Sequence, residues 1–233
     1  MSPTNMPLSK PNEKIIFISA TRGDKSSTSF LKSISKIPGI DFEIIENNTE
    51  KLSVVYNRAI LKHMDDYDII CFVHDDVYVD DLRVARKLQK ATSEGGFDVV
   101  GLAGGIDPQI KTPALWHLMC VRDNLRGAVA HPYNSGLFVT SFGMTPCKVD
   151  LIDSLFMAFR TKLFKTNNHF RFDEANPCHT HFTDLDISLQ ARKYDYQVGV
   201  WPIWVLHSSP GLKSYNDTIW QTGQTWFLDK WSK

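Results

Sequence analysis

At 233 residues the chain is long enough to bury a substantial core, as one large domain or two small ones, since domains run to roughly 100–200 residues. Lysine plus arginine equals aspartate plus glutamate at 26 each, so no global field recruits nucleic acid or an anionic membrane, and only a local patch can do so. Cys71, Cys120, Cys147 and Cys178 stand far apart without a CxxC pair, which argues against a zinc ribbon or a dense disulfide framework and fits a reducing cytoplasm.

Residues 1–13 are polar and punctuated by Pro3, Pro7 and Pro11, which reads as a flexible leader rather than a signal peptide. No later run reaches the ~18 apolar residues of a membrane span. The expectation is a soluble, cytoplasmic protein, one able to work at the periphery of a membrane.

Lys14 to Ala20, KIIFISA, is β-branched and apolar nearly throughout, as for a strand covered on both faces. Ser26 to Lys36 reads as a weak helix broken by Pro38-Gly39, and Asp41 to Glu46 as a second strand stopping at Asn47-Asn48. Ser53 is placed to cap a helix in which Val55, Tyr56, Ala59, Ile60 and Met64 recur at helical spacings. A third strand starts at Asp68 and runs, as DIICFVHDDVY, straight into His74-Asp75-Asp76. Strand, helix, strand, helix, strand argues for a parallel, doubly wound sheet with right-handed crossovers, whose ligands sit beyond the carboxyl ends of the strands. The acidic pair is then the polar edge of a buried strand.

A helix from about Asp80 to Ala91 and a strand from Phe97 to Leu102 continue the alternation. From Ile106 to Pro146 periodicity fails, which fits either a substrate-facing excursion or loops with short antiparallel strands. Val149 to Arg160 is strand-like again, Thr183 or Asp184 can start a helix running toward Lys193, and Tyr196 to Leu206 supplies a strand or a pair. With no convincing linker, 14–233 reads as a single domain.

Three groups can carry chemistry: His74-Asp75-Asp76, Thr183-Asp184-Leu185-Asp186, and His207 after the apolar run. Carboxylates near histidine suit a hard divalent cation bridging phosphate oxygens, although adjacent aspartates after a strand are more often turn or cap residues. Cys178-His179-Thr180-His181 with His169 lacks zinc-ligand spacing and reads as a polar loop. GxSxG, GxxxxGK[ST] and GxGxxG are absent.

The segments SVVYNRAI (53–60), DIICFVHDDVYV (68–79), VDLIDSLFMAFR (149–160), HFTDLDISLQARKYDYQVGV (181–200) and VLHSS (205–209) occur in order. With them the sequence resembles family-2-like glycosyltransferases of the GT-A fold, and among those the streptomycin-biosynthesis (StrF-type) branch. The resemblance implies a Rossmann-like α/β single domain with a mostly parallel central sheet flanked by helices and a smaller antiparallel part, in which 14–105 is the nucleotide-binding half and 106–233 the acceptor-binding half. It also implies a metal-dependent enzyme that moves a sugar from a nucleotide-diphosphate-sugar donor, UDP-sugar favoured, to a glycan, lipid-linked or protein acceptor.

His74-Asp75-Asp76 looks like the family's DxD variant. By resemblance Asp76 and His207 are the metal ligands for Mn2+ or Mg2+. Asn47, Asn48, Asn57, Asp75 and Asp153 serve the donor or nucleotide, and Asp184 is the general base of an inverting transfer, with Asp186 capping or orienting its helix. Two departures stand out. Ser154 occupies a position where glycine is common, and Thr183 replaces glutamate, which by removing a neighbouring negative charge lowers the expected pKa of Asp184. These departures motivate two alternatives: a catalytically inactive sugar- or nucleotide-binding module on the same fold, and a nucleotidyltransferase.

Overall fold

The computed structural model describes residues 13–133, 136–208 and 217–232, so most of the expected leader lies outside the described residues. Glu13, its last residue, is already anchored: its carboxylate accepts from Thr92 Oγ1 at 2.8 Å and its carbonyl from Gln89 Nε2 at 2.9 Å.

In chain order the elements are β1 (Ile15–Ala20), α1 (Ser29–Ile34), β2 (Asp41–Ile45), α2 (Leu52–His63), β3 (Ile69–Val73), β4 (Val77–Val79), α3 (Val84–Ser93), β5 (Val99–Gly101) and β6 (Ala103–Gly105). They continue with α4 (Trp116–Met119), β7 (Leu125–Tyr133), β8 (Gly136–Gly143), β9 (Cys147–Lys148), β10 (Leu151–Ile152) and β11 (Phe156–Arg160). The remainder is α5 (Thr161–Thr166), α6 (Thr183–Lys193), β12 (Val198–Val200), β13 (Val205–His207) and α7 (Thr218–Trp231).

The principal sheet has the order β2-β1-β3-β11-β5-β12-β9. β2, β1, β3, β5 and β12 run one way, while β11 and β9 run against them. A strand from late in the chain therefore separates β3 from β5, so sequence-distant segments build a common sheet. A second sheet, β10-β6-β7-β13-β4 with β8 paired to β7, supplies the antiparallel part. β1 and β3 are buried at nearly every position because helices and loops cover both faces, which is why they read as unbroken apolar runs.

Several expectations shift. Ser53 is not the cap: α2 begins at Leu52 after Lys51, and Ser53 is a buried helical residue. The helix expected from Asp80 starts at Val84, because the buried Asp81 carboxylate accepts from the amides of Arg83 and Trp204 and pairs with Lys87, holding residues 80–83 in a turn. Val149–Arg160 is two strands, β10 and β11, broken by a turn at Asp153-Ser154. Between Ile106 and Pro146 lies a hairpin of nine- and eight-residue strands, β7 and β8. Its pattern is blurred in the sequence by a register shift at Gly127-Ala128, by the positive φ of Gly127 and by Pro132.

Helix α7 closes the fold. Phe227 and Trp220 are buried and pack on the Phe182 ring, so the C-terminal aromatics fasten the helix to the body. Asp186, expected to cap or orient α6, has another partner: its buried carboxylate meets Lys230 Nζ at 2.7 Å and Trp231 Nε1 at 2.8 Å, tying α7 to α6. The close approach runs through Gly223, where a Cβ would stand 2.2 Å from Cys178 Sγ and 2.7 Å from the Phe182 ring. Gly223→Ala is therefore expected to destabilise the fold by about 1–3 kcal/mol through overpacking, net of the better helix propensity of alanine. A thermal melt lowered by several degrees would register it, and an unchanged or raised melting temperature would contradict this packing.

Candidate active site

The buried strand β3 runs into charge because the chain reverses at its carboxyl end, and backbone bonds fix the reversal. The His74 amide donates to the Leu155 carbonyl, Phe30 N to the Asp75 carbonyl, Val77 N to the His74 carbonyl and Ser208 N to the Asp76 carbonyl, all at 3.1–3.2 Å. β13 then pairs antiparallel with β4, with His207 opposite Val77, and this register carries His207 to Asp76 from 131 positions further along the chain. The nearest atoms, His207 Nε2 and Asp76 Oδ1, are 3.4 Å apart.

One ligand atom from each of His74, Asp76 and His207 lies within 4.8 Å of the others. Asp76 Oδ1 is buried without a hydrogen-bond partner among the described residues, an unmet acceptor facing two imidazoles. Burial would raise Asp76, but the imidazoles of His207 and His74 hold it below the usual carboxylate range. Burial would lower His207, but Asp76 and, further off, Asp153 hold it above the ordinary histidine value. Burial dominates at His74 and lowers it. Two imidazoles and one carboxylate fit a divalent cation, and this mixed nitrogen and oxygen set suits Mn2+ better than Mg2+, which prefers oxygen alone.

The turn between β10 and β11 brings in Asp153, whose Oδ2 accepts from Trp116 Nε1 at 2.7 Å and whose Oδ1 accepts from the Leu155 amide at 3.0 Å. Its charge is felt at His74, at His207 and at Asp184. Asp184 stands at the start of α6, entered through Phe182 in the left-handed region at φ 66°. Its Oδ2 accepts from the Ser154 amide at 3.2 Å and its Oδ1 from the Leu185 amide at 2.9 Å. Burial and the neighbouring Asp153 push Asp184 up to about 7 despite these bonds. The fall expected from Thr183 is thus outweighed: Thr183 is itself buried, its hydroxyl donating to the Thr180 carbonyl, while desolvation governs its neighbour. Ser154, the other departure, contributes its backbone amide to Asp184.

A cleft of about 330 Å³ opens beside the histidines and is lined by Thr21, Arg22, Asn48, Glu50, Tyr56, His74, Asp75, Asp76, His179 and Thr180, among others. Asn48 sits in its wall and braces the loop, its Oδ1 accepting from the Glu50 amide and its Nδ2 donating to the Glu50 carbonyl, each at 3.0 Å. Asn47 stands just outside, in the left-handed conformation that asparagine tolerates, with its amide donating to the Gly23 carbonyl.

Asn57 is the misplaced member of the expected set. It borders a different cavity and clamps Phe172, donating to its carbonyl at 2.8 Å and accepting from its amide at 3.1 Å, with Glu174 as a further partner. Its amide is saturated by protein because the helical face that carries it packs inward. His169 borders that second cavity too, so the histidines around Cys178 do not gather about it, and Cys178 is buried with its thiol directed to the Ile219 carbonyl.

Residues near the site that were not among the expected site residues are Arg22, Tyr56, His179, His181 and Trp116; the sequence alone reads His179 and His181 as part of a polar loop and Tyr56 as a packing residue of α2. Arg22 had a signal, since it follows β1 at the ligand-binding edge; it is exposed and, among the described residues, forms no ion pair. His181 lies near His74 and Arg22, and burial lowers its pKa. Trp116 had only its presence in an aperiodic stretch.

The profile of the Glycosyltransferase like family matches residues 15–231, nearly the whole chain. The chain belongs to that family. Among solved structures, A197 from STIV superimposes with a TM-score of 0.51 at 12% identity over 88% of this chain and 99% of that one. The mannosyltransferase PcManGT from Pyrobaculum calidifontis, in complex with GDP-Man and Mn2+, gives 0.52 at 8% identity over 87% of this chain, which spans 59% of that enzyme. At such identities these likenesses speak for the fold alone, a mixed α/β GT-A domain. A search of curated proteins found none significantly similar. Family and fold together make this chain a GT-A glycosyltransferase; the match is to the family as a whole and does not resolve the streptomycin-biosynthesis-type branch.

Proposed function

We propose that the protein transfers a sugar, with inversion, from a nucleoside-diphosphate sugar to an acceptor hydroxyl, with Mn2+ as the preferred cation. The observation that carries this reading is the convergence of Asp76, His207 and His74 on one point, with Asp153 linking that point electrostatically to an Asp184 poised near neutrality. PcManGT, of the same fold, was solved with GDP-Man and Mn2+, which supports the cation and the class of donor.

Asp76 and His207, with His74, would hold the cation, which when bound supplies positive charge to the departing diphosphate. Thr21, Arg22 and Asn48 line the cleft in which the nucleotide is proposed to lie, beside Asp75, and the exposed Arg22 guanidinium is available to a diphosphate. Asp153, held by Trp116, orients the donor sugar. Asp184 takes the proton of the acceptor hydroxyl as its oxygen bonds to the anomeric carbon and the bond from that carbon to the diphosphate oxygen breaks.

A donor screen tests this. Purified protein incubated with UDP- and GDP-sugars should release nucleoside diphosphate when Mn2+ is present and lose that activity in EDTA. Binding of donor and cation with neither hydrolysis nor transfer across an acceptor panel would instead favour the inactive binding module motivated by Ser154 and Thr183. Release of pyrophosphate from a nucleoside triphosphate would favour a nucleotidyltransferase.

A further inference from the structure

A third imidazole, that of His131 on β7, stands behind the two that converge with Asp76. β13 pairs in parallel with β7 at Leu206 and Ala130, and antiparallel with β4 along its other edge. The next residue on each of the two parallel strands is a histidine, so this register sets His131 and His207 side by side on one face of the sheet. Their ring centroids are 5.8 Å apart with planes tilted by 44°, and His131 Nδ1 lies 3.1 Å from the His207 carbonyl oxygen. A carbonyl only accepts, so His131 Nδ1 carries the proton and donates it, which fixes the tautomer of the neutral ring. The His74 ring meets His207 edge-on from another direction, with centroids 6.1 Å apart.

We propose that His131 is a positioning residue for His207, holding its carbonyl and one side of its ring so that the imidazole meets Asp76. A histidine that binds a metal through one ring nitrogen is ordinarily oriented by a hydrogen bond at the other. His207 lacks that support: its Nε2 faces Asp76 Oδ1 at 3.4 Å, and among the described residues its Nδ1 has no partner. The side chain must then be aimed by its own backbone and by the rings packed on it. On the β7 side the ladder to β13 consists of the Leu206–Ala130 pair, one residue short of His207, and the hydrogen bond from His131 extends the attachment to the residue that matters. His131 is itself held from behind, opposite Phe138 in the β7–β8 ladder, so the support rests on a paired strand rather than on a loop.

His131 is not placed as a further ligand. The atoms that lie within 4.8 Å of one another come from His74, Asp76 and His207, and His131 spends Nδ1 on the carbonyl. Its effect on a cation is therefore exerted through His207. That effect rests on the transferase reading, in which His207 holds the metal; the orientation of His207 does not. The stretch between Ile106 and Pro146, which shows no periodicity in the sequence, thereby contributes to the centre through one strand residue.

Three substitutions test the proposal in the full-length protein. His131→Ala removes both contacts, His131→Leu keeps bulk without a donor, and His131→Asn puts an amide Nδ2 where the imidazole Nδ1 was, able to donate to the same carbonyl. Calorimetric titration with Mn2+ should show affinity about 10–100-fold weaker in the Ala and Leu variants, with most of the wild-type affinity kept in Asn. Excess Mn2+ should restore transfer in all three. A metal-free readout comes from protein labelled with 15N-histidine, the His207 ring being assigned by its loss in His207→Ala: its signals should be sharp in wild type and in His131→Asn, and exchange-broadened in the Ala and Leu variants. Wild-type Mn2+ affinity with a sharp His207 ring in His131→Ala overturns the proposal, as does a Leu variant that behaves as wild type while Asn does not. If His131→Ala fails to fold, the comparison of Leu with Asn decides. If the wild-type protein binds no Mn2+, the metal-dependent transferase reading fails, and the metal-free ring signals alone decide the role of His131.

Discussion

Asp184→Asn should lower kcat/KM for sugar transfer by about two to four orders of magnitude, the range in which a positioned general base contributes, while leaving nucleoside diphosphate binding intact. The asparagine keeps one oxygen, which can accept from the Leu185 or the Ser154 amide but not from both, and it cannot take the acceptor proton. The pH profile gives a sharper check. Burial and Asp153 push the Asp184 carboxyl up to about 7, so in the wild-type protein transfer should rise with pH as this group ionises and level off above neutrality. The variant should show no such limb in its residual rate.

The same shift has a consequence for stability. A carboxyl whose folded pKa exceeds its unfolded value binds its proton more tightly in the folded state, so the wild-type fold loses stability as pH rises from about 4 through about 7. Asp184→Asn should therefore melt above the wild type at pH 8, with the gap closing toward pH 4. Substantial turnover by the variant would remove Asp184 from the role of base.

His207→Ala should cost at least as much transfer at limiting Mn2+, because it removes one of the three side chains proposed to hold the cation and leaves only Asp76 and His74 for it. Perturbing a group that merely supports a metal ligand already costs 10–100-fold in affinity, so losing a ligand should exceed that. Calorimetric titration with Mn2+ would measure the loss directly, and excess Mn2+ should restore part of the activity, which distinguishes weakened binding from misfolding. The measurement reads the geometry itself: β13 places His207 opposite Val77, one position beyond Asp76. Full activity in chelator, or unchanged Mn2+ affinity in His207→Ala, would show that these residues meet for another reason.

Much of this arrangement was legible in the order of residues. Unbroken apolar runs at Ile15–Ala20 and Ile69–Val73 announced strands covered on both faces, and a buried strand ending in His74-Asp75-Asp76 marked the ligand edge, because charge leaves a sheet only where the sheet meets solvent. Asp195 adopts a left-handed turn conformation, at φ 57°, which aspartate tolerates better than most residues. These are local matters of periodicity and turn chemistry, and the five ordered motifs added the family.

Tertiary structure alone decided the rest, since each remaining point depends on partners remote in sequence. Asn57 and Asp186 carry the residue types of a binding site, yet each is satisfied by protein, the one by Phe172 and the other by Lys230 and Trp231. The insertion of β11 between β3 and β5 sets the turn that delivers Asp153 and the Ser154 amide to Asp184. The pKa of that carboxyl follows from desolvation and a neighbouring charge, quantities that no pattern of residues along a chain specifies until the chain has closed around it.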